Sequence, residues 1–304
     1  MDLKHTSVVP RIAVLIPTFD GYFRLAALTK KWIDERWNHH PPIYFCGIGP
    51  VSGFTCLPLK RDPRDWVGIA ADAIFELARQ HFDFVYLLLD DHPPVAPCNA
   101  DYLNVRLPQL ATQLQAFYVS LIAWDQFRSV CGKKLGADHD FWMQNDPNDR
   151  WNLSLHPALW QISALLQILQ SVDQKAVGPV SARHFETQAR TFVATLQEAF
   201  RGDSYRVCGD RYAAGEHWFQ KTAMREVLSL CIHAIRFSLI KTNHSQMLQK
   251  LDRRLQGYTH YINGPYPMFW SGLMMKGAVH GDALAFLKLT GQRKAERELR
   301  WALD

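Results

Sequence analysis

Two carboxylates and an imidazole stand side by side at Asp90-Asp91-His92, directly after the apolar run Phe84-Val85-Tyr86-Leu87-Leu88-Leu89 and before Pro93-Pro94. Adjacent like charges raise one another's pKa and cost stability unless a cation or hydrogen bonds compensate them. At the end of a buried strand such a pair suits Mg²⁺ or Mn²⁺ held together with substrate phosphates, or a hydrogen-bonded sugar. The alternative is a capped turn in which the Asp side chains bond loop amides. A second polar group, Arg61, Arg64, Asp65 and Trp66, precedes an amphipathic stretch whose helix N-terminus could receive a diphosphate. There Asp65 could equally be a helix cap. Leu155-His156-Pro157-Ala158-Leu159-Trp160 offers an imidazole and an indole that could stack on a sugar, although a Trp on an amphipathic helix more often belongs to the core.

These groups need a scaffold, and the apolar periodicity supplies one. Arg11–Pro17 reads as a buried strand, 22–37 as a helix closed by Pro41-Pro42, and Ile43–Cys46 as a second strand. Asp65–Gln80 has the 3.6-residue stripe of a helix and feeds the strongest strand, Phe82–Leu89. Strand, helix, strand, helix, strand in ninety residues predicts βαβ units, a mostly parallel sheet flanked by helices, and ligands at the carboxyl ends of the strands. Further strands are expected at 117–124 and 151–155, the second followed by a helix from Ala158 through Ile168. Beyond residue 186 the pattern turns helical at 187–200, 214–240 and 244–256, and the Gly- and Pro-rich stretch 258–281 precedes a final helix. The fold class expected is therefore α/β with a helical C-terminal region.

The chain has 304 residues and 48% hydrophobic residues, which excludes disorder as its main theme. Its six cysteines are scattered and read as reduced thiols. Residues 1–10 lack an apolar leader and no segment approaches 18 uncharged apolar residues, so a cytoplasmic location is expected. The net charge of +5 is uneven: residues 1–200 hold 18 Lys and Arg against 20 Asp and Glu, and 201–304 hold 16 against 9. A basic C-terminal third could meet phosphates, an anionic acceptor, a membrane surface at which the protein would be peripheral, or nucleic acid.

The strand ending in Ile16-Pro17-Thr18-Phe19, the strand ending in Leu89-Asp90-Asp91, and the later Ser154-Leu155-His156-Pro157-Ala158-Leu159-Trp160 step together resemble the GT-A glycosyltransferases over roughly residues 11–187, with a weaker echo at 258–280. The resemblance implies a GT-A-like, Rossmann-like domain over 1–187 and a mainly helical region over 188–304 that completes the cleft. It implies a nucleoside-diphosphate sugar held by Pro17, Thr18, Phe19, Asp20, Asp90 and Asp91, to which the polar loop before the 65–80 helix would add Arg64 and Asp65. Glu186 is implied as the base that takes the acceptor proton, with His184 as runner-up. A divalent cation, Mn²⁺ or Mg²⁺, would be held by Asp91, His92 and the late His280, and His156 and Trp160 would face the acceptor. Two positions depart from the family pattern. His92 stands where a further carboxylate is usual, and Cys46-Gly47 stands where an acidic residue often follows the second strand.

The function implied is transfer of a sugar, expected with inversion, to a hydroxyl of a glycan, lipid-linked or small-molecule acceptor. Alternatives are a nucleotidyltransferase, which would want a basic Gly-rich loop that Thr18-Phe19-Asp20-Gly21-Tyr22 does not provide, and a non-catalytic relative that binds nucleotide, glycan or nucleic acid. For Glu186 the competing role is a negative charge in the first turn of a helix. For His280 it is a structural place in a Gly-rich loop.

Overall fold

The computed structural model describes residues 10–124, 142–145, 152–176 and 178–208, a few positions between 231 and 242, and most of 261–302. Its centre is a seven-stranded sheet built from β1 (Ile12–Pro17), β2 (Ile43–Cys46), β3 (Phe84–Leu87), β4 (Tyr118–Trp124), β5 (Trp142–Gln144), β6 (Ala158–Gln161) and β7 (Ser204–Cys208). The order across the sheet is β2-β1-β3-β6-β4-β7-β5. Strands β1, β2, β3, β4 and β7 run one way, and β6 and β5 run against them. The fold is thus mixed α/β with a mostly parallel sheet, as the alternation of patterns predicts.

Both faces of this sheet are covered, which is why its strands read as continuous apolar runs. One face carries α2 (Trp66–Arg79), α4 (Ile162–Lys175) and α5 (Ala182–Ala189), packed on Ala13, Leu15, Val85, Leu87, Tyr118 and Trp160. The other carries α1 (Phe23–Arg36) and α3 (Leu107–Gln113) on Val14, Ile16, Tyr86, Val119 and Leu159. The outer side of α1 buries Leu25, Leu28 and Trp32 against Ala295 and Leu299 of the last helix, α7 (Arg293–Trp301), and Ala302 that follows it. A shorter helix, α6 (Val193–Phe200), leads into β7.

Two expectations change. Residues 152–157 are not a strand, and Ala158–Gln161, expected to begin a helix, is strand β6. Ala158, Leu159 and Trp160 are buried on both sides because β6 lies between β3 and β4, so their apolar run is two-faced rather than amphipathic. Secondly, a boundary at 187/188 does not separate the sheet from the C-terminal region, since β7 comes from beyond it and lies between β4 and β5. The Gly- and Pro-rich stretch forms two small hairpins, β8 (Tyr261–Ile262) with β9 (Met268–Phe269) and β10 (Met274–Met275) with β11 (Ala278–Val279). The helix expected at 244–256 lies outside the described residues, as does that at 214–240 apart from residues 231, 235 and 238, which are helical.

Candidate functional site

The acidic step emerges at the carboxyl ends of the parallel strands. Beyond β3, Leu88 N still donates to Leu15 O at 3.0 Å, and then the chain turns sharply, His92 N reaching back to Leu89 O at 3.1 Å. Asp90 is gripped from two elements. Its Oδ2 accepts from the hydroxyl of Thr18 at 2.7 Å, and its carbonyl accepts from Thr29 Oγ1, on the inner face of α1, at 2.5 Å. The loop after β1 can come this close to β2 because Gly47, at φ +92°, has no side chain, and a Cβ there would lie 2.0 Å from Thr18 O. That contact explains why glycine stands at this position.

Burial raises the carboxyl of Asp90 to about 7, against the lowering effect of the Thr18 hydrogen bond. For Asp91 burial acts in the same upward direction but is outweighed by the charge and hydrogen bond of His92 and by the amides of Asp91 and Met274, so its carboxyl stays below the ordinary range. The two neighbours are therefore pushed apart, one toward the neutral acid and one toward the carboxylate.

From Asp91 a polar seam runs across the sheet end. Asp91 Oδ1 lies 2.7 Å from His92 Nδ1, and the ring of His92 meets that of His156 edge-on with centroids 5.8 Å apart. His156 Nδ1 is 3.0 Å from Ser154 Oγ, which is 3.3 Å from the hydroxyl of Tyr118. Burial raises the Tyr118 hydroxyl, opposed by Ser154, Ser120 and the nearby charge of Arg206. Arg206 is itself buried and donates through Nε to Asn145 Oδ1 at 2.6 Å. Glu186 enters the same neighbourhood from α5, where Oε1 accepts from Leu155 N at 3.1 Å, one residue before His156. Among the described residues no partner meets Oε2.

A late segment roofs this seam. Tyr266 donates its hydroxyl to the carbonyl of His92 at 2.9 Å, and Leu273 N donates to the carbonyl of Asp91 at 2.7 Å. Gly272, at φ +72°, sits so near that an added Cβ would be 2.3 Å from Asp91 Oδ2. His280 N is tied to Leu273 O at 2.8 Å, and burial lowers the pKa of its ring.

Of the residues singled out in the sequence, the structure brings together Pro17, Thr18, Asp90, Asp91, His92, His156 and Glu186. Phe19 and Asp20 are exposed just beyond, with Phe19 packed on Tyr22 at a centroid distance of 4.5 Å. Four expectations are corrected. Asp65 is the cap of α2: its carboxylate accepts from Gly68 N and Val180 N, and Arg61 holds it at 3.4 Å. Arg64 points outward, 81% exposed, in an ion pair with Asp62. Trp160 is fully buried against Tyr118, with centroids 4.5 Å apart, and cannot stack on a sugar; its indole N–H has no partner among the described residues. His184 is exposed on the first turn of α5, where its amide receives the cap of Ser181.

Among the described residues no group of three or more His, Cys, Asp or Glu side chains is arranged to hold a metal ion. Sequence reasoning missed Thr29, Tyr118, Arg206 and Tyr266 and gave no role to Ser154 or Gly272, though it noted the segments that hold them. Of the four missed, Thr29 carried a signal, as a polar residue on the apolar stripe of α1. A cleft of about 610 Å³ opens at the other end of the sheet, lined among others by Phe82, Asp83, Gln161, Ser163 and Phe200, remote from all of this chemistry.

No family model matches the chain, and no curated protein sequence matches it. Among solved structures it is similar to residues 1–349 of TarS from S. aureus, with TM-score 0.38 and 8% identity over 65% of this chain and 57% of that one. It is also similar to a glycosyltransferase involved in glycosylation of the major capsid of PBCV-1, with TM-score 0.34 and 13% identity over 67% of this chain and 82% of that one. The chain thus spans just over half of the TarS fragment. No helix among the described residues is long and apolar enough to cross a membrane.

Proposed function

We propose that this protein is a glycosyltransferase that moves a sugar from a nucleoside diphosphate to an acceptor hydroxyl, with inversion. The observation that supports it is the convergence of four segments far apart in the chain, Thr18 with Asp90, Asp91 with His92 and His156, and Leu155 with Glu186, at the carboxyl ends of the parallel strands. This is where open α/β sheets bind their ligands. Thr18, Phe19 and Asp20 would meet the nucleotide, Asp90 its ribose or sugar hydroxyls, and His156 the acceptor.

In the reaction the acceptor oxygen forms a bond to the anomeric carbon as the bond from that carbon to the diphosphate oxygen breaks. Glu186 takes the acceptor proton through Oε2 while Oε1 stays anchored on Leu155 N, an arrangement that fixes the carboxylate beside His156. A glycan, a lipid-linked sugar or a small alcohol would serve as acceptor, in the cytoplasm or at a membrane surface reached through the basic C-terminal third. A thermal-shift panel of nucleoside diphosphates tests the reading, because a ligand specific for the native state raises the midpoint by mass action. At least one nucleotide should raise it for the wild type and not for Asp90→Ala. A panel in which none does so would refute the proposal.

A further inference from the structure

A divalent cation bridging an aspartate and a diphosphate needs carboxylate lone pairs turned toward open space, since Mg²⁺ demands a near-octahedral shell and keeps several waters. Asp91 offers little of that form, its side chain being only 18% exposed. Oδ1 is engaged by His92 Nδ1 at 2.7 Å, the carboxylate accepts the amide of Met274, and on one side Oδ2 lies so close to Gly272 that no side chain could stand there. The backbone carbonyl of the same residue is taken by Leu273 N. His92 turns Nδ1 toward the carboxylate, the arrangement of a ring that partners an anion. A carboxylate at position 92 would face Asp91 as a like charge and would call for a cation, whereas the imidazole supplies a donor in its place. Gly272 completes the fit, because its left-handed backbone and missing side chain let the 272–274 turn close on the carboxylate.

We propose that Asp91, His92 and the Gly272–Met274 turn form a clasp that takes up the coordination a divalent ion would need at Asp91, so that the nucleoside diphosphate of the donor binds this protein without Mg²⁺ or Mn²⁺. The ligand in this inference rests on the glycosyltransferase reading; the clasp stands on contacts among residues 91, 92, 272 and 274. It makes position 92 the determinant of cation use and assigns Gly272 a positioning role.

The test uses the full-length protein freed of metal with a chelator. Mn²⁺ alone, followed by the loss of its free electron paramagnetic resonance signal, should not bind the wild type, and stoichiometric binding overturns the clasp. Nucleoside diphosphates titrated calorimetrically in EDTA and in Mn²⁺ should give affinities within about twofold, whereas tightening by about tenfold, or 1.4 kcal/mol, in Mn²⁺ overturns the clasp and leaves the nucleotide reading intact. If no nucleotide binds in either buffer the functional reading fails, and the Mn²⁺ result still decides the clasp. His92→Asp should acquire Mn²⁺ binding, and continued indifference to the ion overturns the role given to His92. Should that variant not fold, Gly272→Ala decides: it should lower the thermal midpoint by several degrees in the wild type and by clearly less beside Asp91→Ala. Equal losses in the two backgrounds would remove the contact on which the clasp depends.

Discussion

At the scale of single residues the site sets two neighbouring acids to opposite tasks. Asp90, raised to about 7 by burial, binds more protons folded than unfolded between about pH 4 and 7, so its contribution to stability is present in acid and lost as the pH rises through 7. Asp91, held low, acts the other way and loses its contribution only in strong acid. Asp90→Asn keeps an acceptor for the Thr18 hydroxyl and removes the titration. The difference in midpoint between Asp90→Asn and wild type should therefore grow in favour of the variant from pH 5 to pH 8, read by thermal melts across that range; a constant difference would deny the raised carboxyl. Glu186 makes a separate prediction. Glu186→Gln should retain nucleotide binding and the Leu155 contact while transfer falls by about 10²- to 10⁴-fold, the usual worth of a positioned base. Transfer near the wild-type rate would take Glu186 out of that role.

At the scale of elements, α2 shows how a charge that reads as a ligand group can instead hold two segments together. Asp65 caps the helix through Gly68 N and also accepts Val180 N from the strap before α5, while Arg61 bridges Asp65, Asp72 and Asp173 across α2 and α4. Removing a cap costs about 1 kcal/mol, and leaving a second buried amide unpaired adds about 1–3 kcal/mol. Asp65→Ala is expected to lower the midpoint by roughly 5–10 °C for a chain of this size, with Asp65→Asn recovering much of it and nucleotide affinity unchanged in both. Calorimetry on the two variants checks the first part and titration the second. Gly47 is the other such element: it permits the loop after β2 to meet Thr18, and so places the hydroxyl that holds Asp90.

For the whole molecule the telling contact is between the first helix and the last. Glu298 of α7 accepts from Lys31 Nζ at 2.6 Å and from Trp32 Nε1 at 3.0 Å, and these bonds hold its carboxyl low although its burial acts to raise it. Beneath them Leu299 is fully buried with Leu25, Leu28 and Trp32. Because α1 also carries Thr29, which grips the Asp90 carbonyl, the C-terminal helix supports the site from behind. Leu299→Ala should cost about 2–5 kcal/mol and weaken nucleotide binding together with amide protection along α1, whereas Arg300→Ala, in an exposed pair with Glu296, should change neither. Hydrogen exchange of the two variants distinguishes them.

The sequence by itself determined the elements and the mouth of the site. The apolar runs at Ile12–Pro17, Ile43–Cys46 and Phe84–Leu87 and the helical stripes between them arise from local periodicity, and a βαβ order leaves the carboxyl ends of the strands as the place for Asp90 and Asp91. Only the tertiary structure decided that Ala158–Gln161 is a central strand, because an apolar run buried on both sides carries no period of its own. It decided likewise that Trp160 faces the core and that Tyr118, Ser154 and Arg206 adjoin His156, since these meet through pairing across the sheet that no local pattern encodes. The closure of Gly272 on Asp91 joins residues widely separated in the chain, and long-range contacts of this kind exist only once the chain has folded.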